Sequence, residues 1–188
     1  MVSSVPKGPK RRGFSLVELM NFLALAALLA TLGMYGLARY VRHAKTAEAV
    51  GNVSAIAQAA ASFYNESDAH QPAGTKPEQA KAMRHFPTGA RQTVPADPAA
   101  VKGKKYQSTL GDWSTSPWLD LQFKITQPQC YAYNFESAGS GATATATVTA
   151  NGDLDANGVS STYRLTVTPD DKLEATASTN VDRIDPDE

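Results

Sequence analysis

The sequence is poor in the residues on which covalently or metal-stabilised scaffolds depend. Its 188 residues include one cysteine, Cys130, and three histidines. A single cysteine cannot form a disulfide within the chain, and it excludes zinc sites built from several thiolates. Disorder throughout is excluded as well, because 42% of the residues are hydrophobic and they follow regular patterns. We therefore expect at least one folded domain with an apolar core.

Neither sign of charge is in excess overall, but the charges are unevenly distributed. The 18 Lys and Arg residues balance 18 Asp and Glu residues. Residues 1–13 carry four basic residues and no acidic one, whereas residues 125–188 carry three basic and ten acidic residues. A uniformly basic nucleic-acid-binding protein does not fit this pattern, so no nucleic-acid partner is expected. No P-loop and no Ser-His-Asp or Cys-His arrangement stands out by spacing, so we do not expect an enzyme.

The dominant feature is a long apolar stretch near the N-terminus. Residues 14–38 contain a single formal charge, Glu18, and about 20 apolar residues in a helix cross a bilayer core. A secretory signal peptide fits less well, because its apolar core is only about 7–15 residues long. A plain membrane anchor does not explain Glu18, because a carboxylate at the bilayer centre costs roughly 2.5–3.5 kcal/mol. The pattern therefore predicts a functional role for Glu18.

The junction that precedes this stretch carries the most specific motif. Residues 10–20, KRRGFSLVELM, combine a basic cluster, Gly-Phe, and a glutamate five residues after the glycine. This motif resembles the class III signal peptides of type IV pilins and of type II secretion pseudopilins. The resemblance implies that prepilin peptidase cleaves between Gly13 and Phe14 and methylates the new N-terminal Phe14. It also implies an assembly role for Glu18, which would pair with the N-terminal amine of a neighbouring subunit.

The remaining sequence predicts an α+β fold. Apolar residues recur at steps of three and four from Ala47 to Tyr64, which indicates an amphipathic continuation of one helix over residues 14–66. Alternating segments, beginning with Leu119–Ile125, predict four or five antiparallel strands. The expected fold is pilin-like: a long N-terminal helix, membrane-spanning in its first half, packs against the sheet. The expected divisions are a cytoplasmic leader peptide (1–13), the transmembrane half of the helix (14–38), its amphipathic half (39–66), a Pro/Gly-rich connecting loop (67–118) and a sheet head with an acidic tail (119–188).

An acidic turn is the one candidate metal site. Asp153, Asp155 and Asn157, followed by Gly158, match the first half of an EF-hand loop. The second half does not match, because Arg164 stands at the twelfth position, where a bidentate glutamate is required. Two interpretations remain open: a looser calcium site, and a hairpin turn that needs no metal. Calcium is therefore the only candidate cofactor.

The resemblance implies a structural subunit, a major or minor pilin of a type IV pilus, with cell adhesion or motility as the associated roles. Its expected partners are other pilin subunits, prepilin peptidase, the pilus assembly platform and motor, and membrane lipid. The expected location is the bacterial inner membrane, with the N-terminus cytoplasmic and the head periplasmic, and then the fibre at the cell surface. Two alternatives stay open: a pseudopilin of a type II secretion system, and a membrane-anchored periplasmic binding module or enzyme.

Overall fold

The computed structural model describes residues 13–67, 74–90 and 92–185. Most of the expected leader (residues 1–12) and the end of the acidic tail (residues 186–188) lie outside these ranges. The chain divides into two compact units, Met1–Val41 and Arg42–Glu188. The first unit contributes the start of the long helix, and the second contains the sheet and its core.

The long helix, α1, comprises Leu16–Glu66 and is 51 residues long. It is rich in alanine and leucine and contains no proline, so every backbone N–H after its first turn can donate to the preceding turn. At its C-terminus the Ser67 hydroxyl donates to the Tyr64 carbonyl over 2.8 Å and so satisfies one of the carbonyls left at a helix end. These bounds agree with the single helix expected over residues 14–66.

The second unit contains one antiparallel sheet of six strands in the order β1-β2-β3-β4-β5, with β6 also paired to β4. The expectation of four or five strands is therefore too low. Thr93–Val94 and Asp182–Ile184, the two strands that the sequence pattern does not predict, contain only two and three residues, and such lengths carry no alternation that a pattern can reveal. The strands are β1 Thr93–Val94, β2 Ala132–Ala138, β3 Thr145–Gly152, β4 Ser161–Pro169, β5 Ala175–Ala177 and β6 Asp182–Ile184.

The core lies between the second half of α1 and one face of the sheet. In β3 and β4 the buried residues alternate along the strand, as in Ala146, Val148, Leu165 and Val167. The helix contributes its own buried face to the same cluster, and the small alanine side chains in that face allow the helix to lie close to the sheet. The buried residues of α1 are Ala49, Val53, Ile56, Ala57, Ala60, Ala61 and Tyr64.

The predicted apolar face of this half-helix is only partly correct. Val53, Ile56 and Tyr64 are fully buried, as the spacing predicts. Ala47 is instead exposed, and Phe63 is half-buried. The spacing of apolar residues predicts that this half of the helix has a buried face. It does not predict which of the many alanines lie under the sheet.

The strand predicted at Leu119–Ile125 is wrong. The chain turns tightly there: the Leu121 N–H donates to the Pro117 carbonyl over 3.0 Å, and Gln122 has a φ of 51°. Leu121 is buried while Leu119 is 59% exposed. The turn packs Trp118 edge-on against Trp113, with ring centroids 5.0 Å apart. Packing of Trp118 against Trp113 and against Phe135 of β2 therefore overrides the alternating pattern.

Two segments outside the long strands also belong to the folded unit. The connecting loop, residues 67–118, contains a short helix, α2 (Pro77–Ala82), the strand β1, and buried core side chains such as Phe86 and Trp113. The acidic tail is not separate from the sheet, because β6 pairs with β4 through Tyr163 and Arg183. Both segments are therefore parts of the folded unit.

Candidate functional site

The predicted cleavage junction lies outside the helix. Gly13 and Phe14 precede α1, which begins at Leu16, and Phe14 is 89% exposed. A Cβ atom added to Gly13 would meet no other atom within 4 Å. The described part of the fold therefore leaves this peptide bond accessible to a protease.

Glu18 takes part in a local arrangement that the sequence interpretation missed. The Ser15 N–H donates to Oε2 of Glu18 over 2.9 Å, and the Glu18 N–H donates to the Ser15 hydroxyl over 3.2 Å. This reciprocal pair is a capping box, which satisfies two backbone donors at the start of a helix. The Ser-x-x-Glu spacing at residues 15–18 is a sequence signal for it, and the negative charge also suits the positive end of the helix dipole.

Glu18 lies within a helical span that is long and apolar enough to cross a membrane. This span covers Leu16–Met34, and none of it is buried within the protein. Its large side chains are exposed; Leu23, Leu28 and Leu32, for example, are each about 60% accessible. Exposed apolar surface of this extent needs cover from lipid or from other apolar helices. Membrane anchoring therefore fits the first unit.

The acidic turn connects β3 to β4, and its polar side chains bond mostly to the turn itself. The Asn157 N–H donates to Oδ1 of Asp155 over 3.1 Å, and the Val159 N–H donates to Oδ1 of Asn157 over 2.7 Å. Such bonds from a side chain to the backbone two residues onward are typical of Asx turns. The hairpin interpretation therefore accounts for Asp155 and Asn157 without a metal.

Asp153 is the buried member of the turn. Its Oδ2 accepts a hydrogen bond from the Gly158 N–H over 2.9 Å and lies 3.5 Å from the Lys102 ammonium. Burial opposes ionisation, but these two partners outweigh it and lower the pKa of the carboxyl below its ordinary value. Its Oδ1 is buried and has no hydrogen-bond partner. Among the residues that the structure describes, no group of three or more His, Cys, Asp or Glu side chains is arranged to hold a metal ion.

Cys130 is buried beside α1. Its backbone N–H donates to Oε1 of Glu48 over 3.1 Å. Burial is the main cause that raises the pKa of the Cys130 thiol, and the Glu48 carboxylate adds to the rise. A buried thiol with a raised pKa is a poor nucleophile, so this cysteine belongs to the core.

Comparison of the chain with models of protein families, with curated proteins and with solved structures finds no match. The arguments below therefore depend on the N-terminal motif and on the geometry described above.

Proposed function

We propose that the chain is a structural subunit, a major or minor pilin, of a type IV pilus. The observation that carries this proposal is the combination of an accessible Gly13-Phe14 junction, a carboxylate at Glu18 and an exposed apolar helix. A prepilin peptidase would cleave after Gly13 and methylate Phe14. The apolar helices of successive subunits would then pack side by side, which covers the surface that the single chain leaves exposed.

Glu18 supports this function beyond its role as a helix cap. The residue is exposed, and among the described residues its carboxylate bonds through Oε2, which leaves Oε1 to a group from another subunit. In a filament core of low dielectric constant, an unpaired ammonium or carboxylate is costly, and each stabilises the other when they are paired. Pairing of Glu18 with the Phe14 amine of a neighbour would therefore set the register of the subunits.

The first experiment tests whether the leader is cleaved after Gly13. We expect Gly13→Val to retain the leader, because a branched side chain at the cleaved bond obstructs the peptidase. Gly33→Val is the matched control: an added Cβ there also meets no atom within 4 Å, and the residue lies far from the junction in sequence. Intact-mass measurement of membrane fractions decides the result. A normally trimmed Gly13→Val protein would contradict the assignment of the junction, and wild-type protein that does not begin at Phe14 would favour a plain membrane anchor.

The capping and pairing roles of Glu18 are separated by three variants. Glu18→Gln keeps an oxygen that can accept the hydrogen bond of the Ser15 N–H but removes the charge. Ser15→Ala removes the reciprocal hydroxyl at a cost of about 1 kcal/mol in helix stability and keeps the carboxylate. Glu18→Ala removes both the cap and the charge.

The measured quantity is the ratio of each protein in sheared fibres to that in membranes. We expect all three variants to be cleaved and to remain stable in the membrane. Both Glu18 variants should enter fibres poorly, whereas Ser15→Ala should assemble as the wild type does. If Ser15→Ala fails as severely as Glu18→Ala while Glu18→Gln assembles normally, Glu18 acts only as a helix cap and the pairing role is wrong. Total fibre number is scored as well, because a subunit at the fibre tip has no predecessor with which to pair.

A further inference from the structure

The chain contains two Asn-Gly pairs, and the structure places them in unlike surroundings. Asn151 and Gly152 lie at the end of β3, whereas Asn157 and Gly158 lie in the exposed part of the acidic turn that follows. Asn-Gly is a dipeptide prone to deamidation, because glycine has no side chain to obstruct the approach of its backbone nitrogen to the asparagine side chain. The sequence alone therefore gives two equal candidates for self-modification.

Deamidation requires only the chain itself and water. The backbone nitrogen of the glycine attacks Cγ of the asparagine, which closes a succinimide ring. The bond from Cγ to the side-chain nitrogen breaks, and that nitrogen leaves as ammonia with the proton that the backbone nitrogen gave up. Water then opens the ring at either carbonyl and produces aspartate or isoaspartate. The net reaction takes up water, releases ammonia and creates a new carboxylate.

Sheet packing withholds the first pair from this reaction. In the ladder between β3 and β4, Asn151 is paired with Thr162 and Gly152 with Ser161. The Thr162 hydroxyl donates to Oδ1 of Asn151 over 2.8 Å. Gly152 is buried, and a Cβ added there would lie 2.6 Å from the Tyr131 ring. The Gly152 backbone therefore cannot turn towards the Asn151 side chain without disrupting the sheet.

The second pair already has a donor on the oxygen atom that gains negative charge in the reaction. The Val159 N–H donates to Oδ1 of Asn157 over 2.7 Å. When a nitrogen attacks Cγ, this oxygen becomes an oxyanion, and a backbone N–H in that position stabilises it. The Gly158 backbone also has room to move, because a Cβ added there would approach the Lys102 ammonium no closer than 3.9 Å.

The Asp153 carboxylate restrains the attacking nitrogen of this pair. Its Oδ2 accepts a hydrogen bond from the Gly158 N–H over 2.9 Å, and Asp153 is only 6% exposed, so water does not readily replace the bond. The nitrogen must give up this proton in order to attack, and a neighbouring carboxylate opposes the negative charge that the nitrogen then carries. Asp155 restrains the other reactant, because its Oδ2 accepts a hydrogen bond from Nδ2 of Asn157 over 3.2 Å.

We propose that Asn157 is a self-modification site that converts to aspartate and isoaspartate, at a rate that Asp153 limits by holding the Gly158 N–H. This inference goes beyond the proposed function and does not depend on it. The product carries an added negative charge beside Asp155, and isoaspartate also lengthens the main chain of the turn by a carbon atom. The modification therefore alters the connection between β3 and β4.

The experiment uses the full chain in a non-ionic detergent, incubated for weeks at neutral pH in water enriched in heavy oxygen. Opening of the succinimide adds an oxygen atom from this water. The label therefore separates modification of the folded protein from modification during later digestion in ordinary water. Peptide mass spectrometry gives the rate at each asparagine, and chromatography separates aspartate from isoaspartate. We expect Asn157 to acquire label at least about ten-fold faster than Asn151, whose site opens only with the sheet.

Three variants test how Asp153 affects this rate. Asp153→Ala releases the Gly158 N–H and should raise the rate at Asn157 about ten-fold, because hydrogen bonds to charged acceptors are among the stronger ones in proteins. Asp153→Asn keeps the size of the side chain and an acceptor but loses the charge, so its rate should lie between those of wild type and Asp153→Ala. Lys102→Gln is the matched control. It removes the ammonium 3.5 Å from Oδ2 of Asp153 but leaves the bond to Gly158, so the rate should be nearly that of wild type.

Asn151 of the same molecules reports whether a variant has unfolded. Parallel acceleration of both asparagines in both Asp153 variants would overturn the proposal, because loss of the fold would then explain the faster reaction. An unchanged rate at Asn157 in Asp153→Ala would overturn it as well, and a slower rate would identify the carboxylate as the base that accepts the proton. Equal labelling of Asn151 and Asn157 in wild type, or no label at Asn157 in any of the proteins, would show that the turn is not a distinct modification site. Acceleration at Asn157 alone in the Asp153 variants, with Lys102→Gln like wild type, supports the proposal.

Discussion

The side chain of Asn65 on α1 bonds to the edge strand β5 of the sheet. Removal of this side chain tests how much the hydrogen bonds between helix and sheet stabilise the fold. Asn65 Nδ2 donates to the Ala175 carbonyl over 3.0 Å, and the Ala175 N–H donates to Asn65 Oδ1 over 2.8 Å. The amide thus bonds both backbone polar groups of one residue, as a neighbouring strand would. Ala175 is only 3% exposed, so water does not readily replace these bonds.

The loss in free energy of unfolding caused by Asn65→Ala can be worked out from these two hydrogen bonds. Each hydrogen bond contributes about 1 kcal/mol net, and a buried backbone group left without a partner costs about 1–3 kcal/mol. The edge strand β5 has only three residues and can relax toward water, which limits the loss. We therefore expect Asn65→Ala to lower the free energy of unfolding by about 2–3 kcal/mol. With a urea m-value of about 2 kcal/mol/M, the unfolding midpoint should fall by about 1–1.5 M.

The assay is urea unfolding of the full chain in a non-ionic detergent, followed by tryptophan fluorescence. Trp113 and Trp118 are both buried, so their emission reports the loss of the core. Ser62→Ala is the matched control, because Ser62 lies on an exposed position of the same helix and should have almost no effect. Asn65→Asp keeps an acceptor for the Ala175 N–H but places oxygen against the Ala175 carbonyl, so it should be at least as destabilising. A midpoint for Asn65→Ala equal to that of Ser62→Ala would refute the reasoning.

Three further expectations concern turns. Gly141→Ala should destabilise the fold by about 2–3 kcal/mol in the same assay, because φ is +52° and the added Cβ would lie 2.6 Å from the Ala82 carbonyl oxygen. Gly111→Ala is its control and should be nearly neutral, because the added Cβ would meet only Thr109 Oγ1, at 3.6 Å. Because the pKa of Asp153 is lowered in the folded protein, its carboxylate stabilises the fold above about pH 4 and loses that contribution as pH falls through the lowered pKa. The melting temperatures of wild type and Asp153→Asn should therefore differ at neutral pH and converge in acid, and a constant difference would contradict this. Calcium should leave the wild-type melting temperature unchanged relative to excess chelator, since Lys102 already lies against Asp153; a calcium-dependent rise would favour the looser calcium site instead.

Features that depend on near neighbours in the chain could be predicted from the sequence. The apolar run after Gly13 predicts a membrane-length helix because its hydrophobicity is a property of consecutive residues. The absence of proline predicts that the helix continues, and α1 does run from Leu16 to Glu66. The long strands β3 and β4 follow from their β-branched alternation. The capping box at Ser15 and Glu18 is equally local, and its Ser-x-x-Glu spacing was available in the sequence.

Features that depend on contacts between distant residues were decided only by the tertiary structure. The segment after Trp118 has the alternation of a strand, yet it forms a turn in which Trp118 packs against Phe135 of β2, with ring centroids 6.5 Å apart. Strand β6 is too short to be recognised without its partner β4. Asn65 bonds to Ala175 across 110 residues, and the Cys130 N–H donates to Glu48 across 82 residues. The physical reason is the same in each case: hydrogen bonds and buried surface between remote segments outweigh the weak local preferences of short segments.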